Sequence, residues 1–230
     1  LASVADPNKP ANPSEIATMV RHLEEGMDAG AFGYSTGLEY DAERASPEGE
    51  TATLCRVVAR ANGLYATHTR NKEVRAVEAV EEGLRVAKAS GVRIQVSHII
   101  PRRGGPPNAL DRVMDVVESA HSIGIDAAFD AHTRFHGITN LSAALPADAL
   151  LGGPDQIRAR LTDPAFRDKM RGYESLISSF AIGGWDRVYL FKSEQFSGQV
   201  GKSFEELAPT GGDAFDAILD TLAAEADDLH

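Results

Sequence analysis

Leu64–Arg70 reads LYATHTR, Arg93–Ile99 reads RIQVSHI, and Ile125–Thr133 reads IDAAFDAHT. Each is a short apolar run that ends in a histidine, and each follows an amphipathic stretch closed by a glycine (Gly63, Gly91, Gly124). A fourth run, AFGYSTG from Ala31, follows Gly30 in the same way and reads as a buried strand. Strand starts near 32, 64, 93 and 125 are separated by about 30 residues, the length of one βα unit. Strands that alternate with helices imply an α/β fold with a parallel sheet, either doubly wound or closed into a barrel. No strand leads into a GxGxxG or a P-loop, so nucleotide binding is disfavoured and the (β/α)-barrel of TIM type is the preferred expectation.

The intervening helices have legible ends. Pro13 suits a first helical turn, and Ile16, Val20, Leu23 and Met27 form one stripe before Gly30. Ser46-Pro47-Glu48 starts a second helix, which carries Leu54, Val57 and Val58. A third runs from about Glu73 to Ser90, and a fourth places Leu110, Val113, Val117 and Ala120 on one face. Beyond Leu150 the rhythm breaks into short polar helices, one short strand (RVYLF, 187–191) and a final helix from Asp213. The expected division is therefore a partial barrel over 1–150 and a mostly helical insertion subdomain over 151–230.

Composition narrows the function classes. With 23 basic against 34 acidic residues the net charge is −11, which argues against a nucleic-acid or anionic-membrane surface. No apolar run approaches the roughly 20 residues of a membrane span. The single cysteine allows no internal disulfide, and a reducing, cytoplasmic setting is the simplest expectation. Cys55 lies mid-helix beside Val57 and Val58 and reads as core rather than nucleophile.

In parallel α/β folds reactive groups collect at the carboxyl ends of strands. Those ends here carry His68, His98 and His132, from three successive strands. Imidazole is the usual zinc ligand, and ligands fixed on adjacent strand ends converge on one ion without strain. His68 and His98 are the expected metal pair, His132 a substrate-pocket residue and His136 loop structure. His22 and His121 lie on helices and read as surface residues, while His230 is terminal and without context. Arg70, two residues past His68, either meets a substrate carboxylate or pairs with an internal acid. Asp130 either orients a ligand or holds its loop.

The runs GAFGYSTGLEY, YATHTRN, GVRIQVSHI and GIDAAFDAHTR, in that order, resemble the N-acyl-D-amino-acid deacylases (D-aminoacylases) of the metal-dependent amidohydrolase superfamily. The match extends from about Glu15 to the C-terminus, since WDRVYLF and GKSFEELAPTGGDAFDAILDTL also look like that family's insertion subdomain. The resemblance implies zinc held by His68 and His98 at barrel strands five and six, and a small-molecule N-acyl amino acid substrate contacted by Tyr40. His132 falls where many relatives carry a tyrosine. Ile100 falls where relatives often carry a carboxylate-binding lysine, which leaves Arg102, Arg103 or Arg70 to supply that charge.

The family's HxH pair, its metal-ligating cysteine and its catalytic aspartate have no counterpart in the chain, which starts at Leu1 without an initiator Met. The resemblance thus implies strands four to seven plus the insertion, a piece of a longer enzyme that is inactive alone. Uncovered strand edges make self-association an expectation. Two other readings stand beside this one. A dihydroorotase-like or hydantoinase-like cyclic amidase would want a carboxylatable lysine at the first strand end, where YSTGLEY offers none; the other is a non-catalytic half-barrel module.

Overall fold

The computed structural model describes residues 6, 9–102, 105–133, 136–173, 175, 177, 178, 181 and 184–228. They form two compact units, Leu1–Thr133 and Arg134–His230.

The first unit opens with α1 (Pro13–Asp28). Asn12 caps it by accepting the Ser14 and Glu15 N–H groups, and the Glu15 carboxylate reaches back to the Asn12 N–H at 2.7 Å. There follow β1 (Gly33–Gly37), α2 (Asp41–Arg44), α3 (Glu48–Arg60), β2 (Leu64–His68), α4 (Ala76–Ser90), β3 (Arg93–Val96), α5 (Ala109–Ala120) and β4 (Ala127–Phe129). The strands form one sheet in the order β1-β2-β3-β4, every neighbouring pair parallel. Gly91, left-handed at φ 75°, closes α4, a conformation that glycine adopts without the Cβ clash other residues suffer. Gly33 is required for another reason: a Cβ there would lie 1.9 Å from the Leu64 carbonyl oxygen across the β1–β2 ladder.

Burial in the sheet alternates, which corrects the expectation of a fully buried first strand. Tyr65, Ile94 and Val96 are buried with Cys55, Val58, Val80, Val113 and Val117 of the helices. Ser35, Leu64, Arg93 and Ala128, on the opposite strand phase, are exposed. Helices therefore cover one face of the sheet, as the two-residue side-chain period dictates. Where the buried face carries hydroxyls they pair with one another, Thr36 with Tyr65 at 2.8 Å and with Thr67 at 3.0 Å. The α1 stripe is only half-buried: no α1 residue is fully enclosed, although Leu23 and Met27 pack on the core.

In the second unit two 3-10 turns (Leu141–Ala144 and Ala147–Leu150) precede α6 (Pro154–Thr162), α7 (Pro164–Met170), α8 (Phe204–Leu207) and α9 (Ala214–Ala224). Ile157, Leu161, Phe204, Ile218, Leu219 and Leu222 form its core. Ala144, Leu145 and Ala149 belong to that same core, so the division falls after Thr133 rather than after Leu150. The short strand expected at 187–191 is reduced to one antiparallel bridge, Tyr189 to Ser203. Leu190 is buried between exposed Tyr189 and Phe191, a strand-like alternation, but the segment returning through Gly201 and Lys202 turns away after one pair. Among the described residues no helix is long and apolar enough to cross a membrane.

Candidate functional site

The parallel register sets the carboxyl ends of the four strands side by side. Gly37 pairs with His68, Thr67 with Val96, and Val96 with Phe129. The ladder continues past the strands, with the Ser97 N–H on the Thr67 carbonyl at 3.0 Å and the Ile99 N–H on the Asp130 carbonyl at 2.8 Å. Residues just beyond each strand are thus held by backbone hydrogen bonds, and their side chains share one rim.

On that rim the rings of His68 and His98 lie 4.6 Å apart between centroids, edge to face. His132 continues the row at 5.1 Å from His98, and Tyr40 flanks His68 at 5.0 Å. The four aromatic residues singled out from the sequence are therefore brought together.

The arginines divide. Arg70 places Nε and Nη2 on both carboxylate oxygens of Glu82, at 2.7 to 3.1 Å, and donates to the Arg44 and Ser46 carbonyls. Of its two alternatives the structure shows the pairing with an internal acid, with Nε, Nη1 and Nη2 each donating within the first unit. Arg102 grips Glu39 with two nitrogens, at 2.5 and 2.7 Å, and Glu73 at 2.8 Å. Its charge is thus shared between two carboxylates of the rim. Arg103 and His230 lie outside the described residues. His22, His121 and His136 are exposed, and Cys55 is fully buried.

Three charged residues that the sequence reading passed over complete the rim. Glu39 accepts a hydrogen bond from His68 Nε2 at 2.6 Å. A carboxylate only accepts, so the His68 proton resides on Nε2 and its Nδ1 lone pair is open. Burial raises the Glu39 carboxyl, but the hydrogen bonds from His68 and Arg102 and the Arg102 charge outweigh it and hold the group at about 2. Glu73 braces Arg102 from the other side. Lys72, 5% exposed, points its ammonium at His98: Nζ is 2.9 Å from Nδ1, 2.5 Å from the His98 carbonyl and 3.3 Å from that of Ser97. Burial and the Arg102 charge push Lys72 down to about 8, and burial with Lys72 beside it pushes His98 down to about 4.

His98 has a left-handed backbone, φ 38°, unusual for a residue with a side chain. Asp130 stabilises it by accepting its N–H at 2.6 Å while also accepting from Gln95 Nε2 at 2.9 Å, so Asp130 holds the loop. Glu39, Lys72 and Glu73 all lie within five residues of a strand end. Reading acids and lysines there, as the histidines were read, is the signal that would have found them.

Two imidazoles backed by a carboxylate are a donor set that suits zinc, because an acid accepting one ring N–H fixes the tautomer and presents the other nitrogen. Here His68 turns Nδ1 away from its carboxylate, whereas His98 gives Nδ1 to the Lys72 ammonium and carries its ring proton on Nε2. The fit is that of a partial site. Among the described residues no group of three or more His, Cys, Asp or Glu side chains is placed to hold a metal ion.

No family model matches the chain. It is similar to an N-acyl-D-glutamate deacylase of Alcaligenes xylosoxydans xylosoxydans, 31% identical over 191 residues that make up 82% of this chain and 37% of that protein. A D-aminoacylase of the same organism is 34% identical over 143 residues, 61% of this chain and 29% of that protein. The match thus spans little more than a third of the first relative and less than a third of the second. Among solved structures it superposes on an N-acyl-D-glutamate deacylase from Bordetella bronchiseptica, complexed with zinc and a phosphonate mimic of the tetrahedral intermediate. There the TM-score is 0.72 at 22% identity, covering 96% of this chain and 39% of that one. It also superposes on a D-aminoacylase described as defining a novel subset of amidohydrolases, with TM-score 0.65, 22% identity and the same coverage. Over the residues it shares with these proteins, the chain is a homologue of the N-acyl-D-amino-acid deacylases.

Proposed function

We propose that the chain is part of a zinc-dependent hydrolase that cleaves the linear amide of an N-acyl-D-amino acid. The observation that carries this reading is the row of His68, His98 and His132 along one strand-end rim, with Glu39 orienting His68. One-sided helix cover favours a (β/α)-barrel over a doubly wound sheet, whose helices would cover both faces. In that reading β1 to β4 are barrel strands four to seven and the second unit is an insertion. Further βα units, from more of the same polypeptide or a second copy, would cover the free edges of β1 and β4.

His68 and His98 would hold the metal; bound there, zinc would polarise the scissile carbonyl and lower the pKa of a water. Tyr40, 46% exposed beside His68, and the exposed His132 are placed to orient the acyl amino acid. Arg102 serves by fixing Glu39 and through it the His68 ring. A reducing compartment such as the cytoplasm suits a chain whose single thiol is buried.

The test is zinc content and hydrolysis of N-acetyl-D-glutamate, measured for the 230-residue chain and for a longer chain carrying further barrel units. Turnover is expected only from the longer chain, and His68→Ala with His98→Ala should remove zinc and turnover together. Turnover that survives the double replacement overturns the reading.

A further inference from the structure

Glycine stands at position 37, the last residue of β1, in register with His68 at the end of β2. Its backbone does not require glycine, because its φ lies outside the left-handed region that Gly91 occupies. What requires it is space. A Cβ at Gly37 would lie 2.5 Å from Cδ2 and 2.9 Å from Cε2 of the Tyr40 ring. Carbon atoms rest about 3.5–4.0 Å apart, so the ring would have to recede by about 1 Å. At Gly33 the obstacle is a backbone carbonyl, which cannot move without breaking the ladder; at Gly37 it is a side chain, which can.

The backbone of Tyr40 is pinned on both sides. Its N–H donates to the Gly37 carbonyl at 3.0 Å, and its own carbonyl accepts the Glu43 and Arg44 N–H groups, both at 2.9 Å, at the start of α2. The Glu43 carboxylate returns to the Gly37 N–H at 2.6 Å and closes the turn on itself. With the backbone fixed, two side-chain torsions decide where the phenol goes, and the surface beneath it selects between their values. The missing Cβ lets the ring lie on the strand end, 46% exposed and 5.0 Å from the His68 ring.

Resting on the substrate role given above to Tyr40, we propose that Gly37 is a positioning residue that acts through it: the absent side chain seats the Tyr40 ring against His68 and so sets the width of the substrate slot beside that histidine. Leu38, buried, anchors the strand end through its N–H on the His68 carbonyl at 3.0 Å, so a substitution at Gly37 displaces the ring rather than the strand.

The experiment is a double-mutant cycle between Gly37→Ala and Tyr40→Ala. In the 230-residue chain, NMR at fixed pH follows the imidazole C–H signals of His68, assigned by their loss in His68→Ala. The ring current of Tyr40 marks these signals, so Gly37→Ala should shift them, and should shift them no further once position 40 is alanine. In the longer chain, Gly37→Ala should raise KM for N-acetyl-D-glutamate about two- to tenfold, the worth of one aromatic contact. The value of kcat should stay nearly unchanged, and the effect on KM should vanish in the Tyr40→Ala background. Any stability lost in Gly37→Ala should be restored by Tyr40→Ala, which relieves the clash; a loss that persists in the double variant overturns the proposal. His68 signals that ignore Gly37→Ala, or that shift equally in both backgrounds, overturn it too. Kinetics separates it from the reading beneath it. A KM that responds to Tyr40→Ala but not to Gly37→Ala overturns this inference alone, whereas a KM that ignores both variants removes the substrate role of Tyr40 with it.

Discussion

Arg70→Met decides between the two roles that its position two residues beyond His68 allows. The Arg70 and Glu82 side chains are only 20% and 11% exposed, and three short contacts join guanidinium to carboxylate. Removing the arginine leaves a nearly buried carboxylate without its counter-charge and strips the Arg44 and Ser46 carbonyls of their donor. Breaking a buried pair from one side costs about 3–5 kcal/mol, most of it the desolvation of the abandoned charge. At about 2–4 °C per kcal/mol for a chain of this size, the melting temperature should fall by roughly 6–20 °C. The double variant Arg70→Met, Glu82→Leu removes both charges and should recover most of the loss, because an apolar pair of similar volume often replaces a buried ion pair at little cost. Urea unfolding followed by far-UV circular dichroism measures both, with an unchanged m-value showing that the same surface unfolds. A single variant within about 1 kcal/mol of the parent, or a double variant no better than the single, would refute the scaffold role and return Arg70 to the substrate.

Two further outcomes test other parts of the structure. Cys55 is fully buried, with its thiol pushed up to about 12 by burial, so a thiol reagent at pH 8 should label it only as fast as the protein opens. Rapid labelling of the folded chain would contradict the packing of α3. In the second unit burial raises the Asp216 carboxyl, but hydrogen bonds from Arg171 and the Asp213 N–H outweigh that and hold it below its usual value of 3.8. A carboxyl depressed on folding stabilises above its unfolded pKa and ceases to as pH falls through its folded one. Asp216→Asn should therefore be destabilising at pH 7, with the difference shrinking below about pH 4. A difference that persists unchanged at pH 2 would place the role of Asp216 in its cap geometry rather than its charge.

Much of the first unit was legible because its signals are local. Gly91 ends α4 and Gly124 follows α5, and the apolar runs that come after each become β3 and β4. The strand at 187–191 was misread for a complementary reason: its alternation is genuine, but a strand requires a partner, and Ser203 supplies a single pair. The division after Thr133 was missed because Ala144, Leu145 and Ala149 look like any loop residues until a core is seen to enclose them.

By itself the sequence determined the βα alternation, the buried cysteine and the convergence of His68, His98 and His132, since period and strand-end position depend only on neighbours along the chain. What only tertiary structure decided is the charge wiring of the rim. Arg102 finds Glu39 across 63 positions, His68 finds the same carboxylate across 29, and Lys72 reaches His98 across 26. Long charged side chains have many rotamers and several candidate partners, and the choice among them is made by the parallel register that sets one strand end beside the next. That choice paired Arg70 with Glu82 and put an ammonium against one of two histidines that the sequence presents as equals.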